Sequence, residues 1–262
     1  MSYARPPSAM KRPAGLVRLQ LDFPLFGPPF RHAFDAPQAP VRPRRLLPVF
    51  QAVTDEIVRR SADAVRAEGK EISCRAGCGA CCRQLVPISE TEARALAELV
   101  SRASPARRAA LRARFAEAKK RLEELGLWQR LSELRGLSRE EILRLGEDVF
   151  WAGIACPFLE EEACSIHPDR PLACREFLVT SPPDRCEALD RSATVDVPIP
   201  SHASDALARI DAKEDDGRNW YWLPLIQGLD WAAAHPDKLA PEPAPAILER
   251  FLGLLVALGE DG

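Results

Sequence analysis

Eight cysteines, four of them packed into Cys74-Arg75-Ala76-Gly77-Cys78-Gly79-Ala80-Cys81-Cys82, constrain this 262-residue chain more than any other feature. The other four, Cys156, Cys164, Cys174 and Cys186, are spread over a later segment. Thiolates that share an ion must converge to bonding distance, and short spacings with small residues between them let the backbone curl round it. Ala76, Gly77, Gly79 and Ala80 supply that freedom at low steric cost. Eight thiolates match two tetrahedral four-ligand sites, or one iron–sulfur cluster plus a second site. The bland alternative, cysteine as a small buried apolar residue, suits one isolated thiol and poorly suits four within nine positions.

The setting favours metal over disulfides. Met1 to Gly15 carries Arg5, Lys11 and Arg12 among prolines, with no apolar core of a secretory signal. The longest apolar run, Phe251 to Leu258, is broken by Gly253 and too short to span a bilayer. A cytoplasmic protein is expected, and in a reducing compartment eight cysteines point to ligation or redox chemistry. A formal net charge of -2 gives no pull toward nucleic acid or an anionic membrane.

Along the chain, residues 1–45 are expected as a proline- and arginine-rich extended arm, with 24 prolines in the whole sequence. Within it Val17, Leu19, Leu21 and Phe23 alternate with polar residues, the period of a half-buried strand. From Leu46 the pattern turns helical to about Gly69. Ser89 with Glu92, and Ser138 with Glu141, are capping boxes, and Ser104-Pro105 reads as N-cap plus first-turn proline. Residues 89–150 are therefore expected as a helical insertion within a cysteine-cluster domain over 46–190. Cys156 to Ile166 reads as two short strands joined by an acidic turn, and Pro171 as the start of a short helix carrying Cys174. Thr194 to Val197 reads as a strand, and 191–262 as a helical part packed on the domain. Trp220, Trp222 and Trp231 are assigned to core packing.

Around the thiols, Arg75, Arg83, Arg175 and Arg185 adjoin Cys74, Cys82, Cys174 and Cys186. Guanidinium groups there would offset a four-thiolate site's negative charge. His167 stands at a ligand-like distance from Cys164, but a turn residue before Pro168 is the preferred reading. Cys81 and Cys82 are expected to diverge, because neighbouring side chains do so on a strand or a helix. Cys81 would then chelate with Cys78, and Cys82 would serve another site or none.

The ordered motifs Cys78-Gly79-Ala80-Cys81-Cys82, Cys156-Pro157-Phe158-Leu159, Cys164-Ser165-Ile166-His167, Arg170-Pro171 and Cys174-Arg175 closely resemble the YkgJ-like cysteine-cluster family, CxxCxxCC. The resemblance spans roughly residues 70 to 190 and implies chelation of zinc or iron. Two departures stand out: Cys74-x3-Cys78 is one residue longer than the common CxxC, and His167 occupies a place where many relatives have Tyr. Some relatives are similar to flagellin lysine N-methylases, which implies an S-adenosylmethionine and iron–sulfur alternative.

The expected fold is α+β, mainly helical with a small irregular β and cysteine-rich metal-binding core. The expected ligands are Cys74, Cys78, Cys81, Cys82, Cys156, Cys164, Cys174 and Cys186, holding zinc, iron or an iron–sulfur cluster. A metal ion is the expected partner, with a protein substrate or partner beside it. Three readings stand: a metal-binding protein organised by its ions; an iron–sulfur enzyme such as an S-adenosylmethionine-dependent lysine methyltransferase; and a redox or metal-handling factor. Cys74-x3-Cys78-x2-Cys81 is also the spacing of radical S-adenosylmethionine enzymes, but no series of strand–helix units follows it, which argues against their barrel. No P-loop, G-x-G-x-x-G or Ser/His/Asp arrangement is present.

Overall fold

The computed structural model describes residues 15–24, 27–75, 77–134, 137–212 and 222–260. Ala76, Trp220 and the proline–arginine stretch before Gly15 lie outside the described residues. Among the described residues the chain forms ten α-helices and three two-stranded antiparallel sheets, an α+β fold dominated by helix.

The alternating segment near the N-terminus is strand β1, Leu16–Pro24, closed by β2, Pro29–Pro37, into a hairpin that pairs Leu19 with Phe34 and Phe23 with Phe30. The sequence reading foresaw the first strand and missed the second, whose bounding prolines suggested an open arm. Because side chains alternate along a strand, Leu19, Leu21, Phe23, Phe30 and Phe34 share one face and pack on the largest core. That core is built from α1 (Leu47–Ala67), α8 (Ala203–Asp211) and α10 (Ala244–Glu260). Phe50 and Phe251 meet at its centre with ring centroids 4.5 Å apart. The first and last segments of the chain thus share one core.

Between the cysteine clusters run α2 (Glu90–Arg102), α3 (Pro105–Glu124), α4 (Leu127–Ser132) and α5 (Arg139–Trp151). Both capping boxes close as the sequence predicts: Ser89 with Glu92, and Ser138 with Glu141, each satisfy orphan N–H groups at a helix start. Ser104 caps α3 with Pro105 in the first turn. Two apolar clusters follow, one of α3, α4 and α5 around Leu122, Leu131 and Leu145, the other of α2 and α3 against Phe158 and Ile166. The second stands directly behind Cys156 and Cys164.

The remaining strands are two residues long: β3 (Pro87–Ile88) pairs with β6 (Leu223–Pro224), and β4 (Leu159–Glu160) with β5 (Ala163–Cys164). Thr194 to Val197 is reduced to a bridge between Val179 and Asp196. Short helices α6 (Leu172–Glu176), α7 (Pro183–Glu187) and α9 (Gly228–Ala234) complete the fold. No helix among the described residues is long and apolar enough to cross a membrane.

Candidate metal centre

The cysteine-rich loop 74–83 lies between two later segments of the chain, and each contact has a local cause. On one side Ser73 N donates to Val179 O at 2.9 Å, and Val179 N donates to the Cys74 sulfur at 3.4 Å. Cys186 on α7 joins Cys74 and Cys78 there, in a small cluster with Ala80, Val179 and Phe177. On the other side Cys156 N donates to Cys82 O at 2.7 Å. Gly79 lies flat against the β4–β5 turn, where a Cβ would sit 2.8 Å from both the Glu162 carboxylate and Leu159 Cδ1. Any larger residue would have to push the Leu159 and Glu162 side chains aside and crowd the Glu162 carbonyl, so glycine suits the approach.

The acidic turn is held in place by arginines. Glu161 and Glu162 have φ of 49° and 59°, the left-handed region that is unfavourable for side-chain-bearing residues. Arg83 fixes Glu162 through two hydrogen bonds, at 2.7 and 3.0 Å. Arg107 and Arg114 from α3 both reach Glu160.

Cys174 is carried by α6, a five-residue helix that three elements hold. The Glu92 carboxylate, buried at 2% exposure, completes its own capping box through Ser89 N at 2.9 Å and accepts Leu172 N at 2.7 Å. The Arg175 guanidinium spans both Asp55 oxygens at 2.9 Å, tying α6 to α1. Glu176 accepts from Ser204 N and Ser204 Oγ, at 3.2 and 2.6 Å, tying it to α8.

All eight cysteines are free thiols, seven of them part-buried and Cys186 buried. Burial raises the Cys74, Cys164 and Cys174 thiols above their ordinary range, pushes Cys156 up to about 12 and pushes Cys186 up to about 11. Were they ionised, neighbouring sulfurs would repel one another, and the thiols close enough to do so fall into groups. Cys74, Cys78 and Cys186 form one neighbourhood. Cys156, Cys164 and Cys174 form another. Cys81 lies within electrostatic reach of both.

The vicinal pair departs from expectation. The Cys81 thiol is hydrogen-bonded to Cys82, and that contact, ahead of burial, holds Cys81 protonated far above the usual thiol range. The reason is local: Ala80–Arg83 is a single 3-10 turn, neither strand nor α-helix, so the divergence argument does not apply.

The arginines flagged by adjacency are also redirected. Arg83 pairs with Glu162, Arg175 with Asp55, and Arg185 with Asp190. The guanidinium whose charge reaches Cys74, Cys81 and Cys164 is instead Arg170, and its buried Nε has no hydrogen-bond partner. The signal available in the sequence was the Arg170-Pro171 pair just ahead of Cys174; Arg170 itself is extended and precedes the helix. His167 opens a 3-10 turn with Pro168 and Asp169 and is exposed, in keeping with the turn reading.

As they stand, no three His, Cys, Asp or Glu side chains among the described residues close into a group that could hold an ion. The donor chemistry nevertheless suits a thiophilic cation. Eight unpaired thiols, crowded and partly desolvated, exact a cost as anions that a bound cation offsets.

Comparison with known proteins agrees with the residues. Residues 73–188 match the family model CxxCxxCC, described as "Putative zinc- or iron-chelating domain". No curated protein and no solved structure matches the chain. The stretch similar to the CxxCxxCC domain, residues 73–188, thus contains all eight cysteines of the chain.

Proposed function

We propose that this protein binds zinc or iron through two four-thiolate sets that meet at the vicinal pair. The supporting observation is the division of the thiols. Cys74, Cys78 and Cys186 lie together, Cys156, Cys164 and Cys174 lie together, and Cys81 is within reach of each group. Each trio needs one further thiolate to reach the tetrahedral count, and Cys81 and Cys82 are the two that remain. Cys81 shares a cavity wall with Cys174, so in this proposal it joins Cys156, Cys164 and Cys174. Cys82 then joins the first trio, which replaces the pairing of Cys78 with Cys81 suggested by sequence spacing. Residues 46–190 would be the metal-binding unit, flanked by the arm 1–45 and the helical part 191–262.

A second reading, an iron–sulfur centre that reacts, is favoured by one feature. The Cys81 and Cys174 wall faces an open cavity, and a sealed structural zinc site would have none. Such a centre would suit an enzyme of the S-adenosylmethionine-dependent methyltransferase kind or a redox factor.

Anaerobic purification, a visible spectrum and metal analysis of single Cys→Ser variants test both readings. Cys81→Ser and Cys174→Ser should lose the same metal equivalent, and Cys82→Ser and Cys186→Ser the other. Loss of one and the same equivalent in the Cys81 and Cys82 variants would refute the division. A colourless protein with stoichiometric zinc would remove the iron–sulfur reading.

A further inference from the structure

Cys81 and Cys82 are joined by one peptide bond, and their side chains are in contact. Both belong to the turn Ala80–Arg83, which the protein pins from two sides. Cys156 N donates to Cys82 O at 2.7 Å, fixing the turn to the second half of the cluster. Arg83 donates to Gly79 O at 3.1 Å and to Glu162 at 2.7 Å, fixing it to the acidic turn. Within the turn, Cys82 N donates to Gly79 O at 3.0 Å and Gln84 N to Cys81 O at 3.1 Å. The meeting of the two sulfurs is therefore built on a held backbone, and neither has to be carried to the other. Small reagents can reach them: both residues are part-buried, and Cys81 lies on the wall of an open cavity of about 320 Å³.

The chemistry open to two touching thiols is two-electron oxidation. With hydrogen peroxide, one sulfur takes an oxygen as a sulfenic acid and the first water leaves. The second sulfur then displaces that oxygen, which departs with the remaining thiol hydrogen as the second water, and one S–S bond remains. The sulfurs are oxidised and the peroxide oxygens reduced. Because the second thiol is already in place, its effective concentration is high, and closure outruns reaction with another peroxide. The ring so formed is tight. Cα atoms across a trans peptide stand about 3.8 Å apart, below the roughly 4.4–6.8 Å that a relaxed disulfide spans. A disulfide strained in this way is readily reduced, which is the property of a reversible couple and not of a structural bridge.

We infer that Cys81 and Cys82 are a redox couple, closed to a vicinal disulfide by a peroxide and reopened by a thiol, and that closure opens both metal sites at once. The couple itself stands on the contact of the two side chains in their pinned turn. Its effect on metal rests on the division of the thiols proposed above, in which each site takes one member of the pair. One S–S bond then leaves each set with three thiolates in place of four, so a single oxidation loosens the hold on both ions.

The test treats the full chain, metal-free and zinc-loaded, with one equivalent of hydrogen peroxide, followed by iodoacetamide in denaturant. The tryptic peptide 76–83, which contains Cys78, Cys81 and Cys82, is then mapped by mass spectrometry. The expected result is loss of two hydrogen atoms, with Cys78 alkylated and both Cys81 and Cys82 protected, all reversed by dithiothreitol before alkylation. Cys78→Ser leaves only the pair in that peptide and should give the same protection. A chromogenic chelator should register both zinc equivalents for each disulfide formed. Alkylation of both vicinal thiols in either preparation of the chain, a bridge from Cys78 to one of them, or a sulfinic acid in place of the bridge would overturn the couple. Closure with one zinc equivalent retained would overturn the opening of both sites, and the division behind it, while upholding the couple. If the chain takes up no metal, closure in the metal-free chain still decides the couple.

Discussion

Replacing Glu92 asks whether the fold of the helical segment and the placement of Cys174 depend on a single carboxylate. One oxygen accepts Ser89 N at 2.9 Å and the other accepts Leu172 N at 2.7 Å, while Ser89 Oγ accepts Glu92 N at 3.1 Å. Glu92→Ala leaves the Ser89 and Leu172 N–H groups without partners in a buried place, and each orphaned donor costs about 1–3 kcal/mol. The Ser89 cap survives, because it uses the backbone N–H of residue 92. Against this, the carboxylate is fully buried, and burial raises its pKa, so removing it also relieves a desolvation cost. The net loss should be about 2–4 kcal/mol, read as a lower urea midpoint at unchanged m-value. Glu92→Gln keeps one acceptor oxygen and should lose roughly half as much. Since Leu172 opens the helix that carries Cys174, Glu92→Ala should also release the metal equivalent that Cys174→Ser releases and keep the other. An Ala variant within about 0.5 kcal/mol of wild type, or one that sheds both equivalents together, would refute the reasoning.

Two further outcomes are expected. Asp211 is buried and accepts Thr91 N at 2.6 Å and Thr91 Oγ1 at 2.7 Å, and burial pushes its carboxyl up to about 7. The fold therefore favours its protonated form: the contribution is complete below the unfolded carboxyl's pKa of about 3.9 and is lost as pH rises through about 7, a swing on the order of 4 kcal/mol. Asp211→Asn, which cannot ionise, should gain stability relative to wild type between pH 5 and pH 9, and parallel urea curves for the two proteins across that range would exclude it. Gly79→Ala forces a Cβ to 3.1 Å from Glu162 O and 2.8 Å from a carboxylate that Arg83 holds. It should cost about 1–3 kcal/mol and reduce bound metal, measured by thermal unfolding and metal analysis, whereas Gly253→Ala, mid-helix with open space around it, should leave bound metal unchanged and gain about 0.5–1 kcal/mol from helix propensity.

Much of the helical frame was legible because its signals are local. A serine with a glutamate three residues on specifies a helix start within a few positions, and Ser89, Ser104 and Ser138 all cap as read. The alternation of Val17 to Phe23 likewise gave β1, and the run Glu160 to Glu162 gave a tight turn. What escaped is set by tertiary contact. In the hairpin partner Pro29–Pro37 the alternation of Phe30, Phe34 and Ala36 with Arg31 and Asp35 is interrupted by His32 and Ala33 and bounded by prolines, and its place is decided by the face it offers to α1. Adjacency in sequence proved a weak guide to electrostatics: Arg83 and Arg175 sit next to cysteines but turn to Glu162 and Asp55, while Arg170 is the charge the thiols feel. Nothing local marked Thr91 and Asp211 as partners across 120 positions. The Cys81 and Cys82 side chains touch rather than diverge, because a 3-10 turn follows neither period on which the divergence argument depends.

The packing of loop 74–83 between two distant segments also has a kinetic consequence. Four helices are synthesised between Cys82 and Cys156, so the first half of the cluster exists well before its partners do. Bringing Cys82 to Cys156, whose backbones are hydrogen-bonded, closes a loop of roughly seventy residues, for which the length-dependent entropy alone is about 4 kcal/mol if the intervening chain is uncoiled. Prior folding of α2–α5 shortens the effective span, since Glu92 and Arg107 on those helices are the groups that receive Leu172 and Glu160. The nascent thiols of the first half would thus stand exposed until the helices dock, and order of assembly, as much as affinity, would decide which ion they first meet.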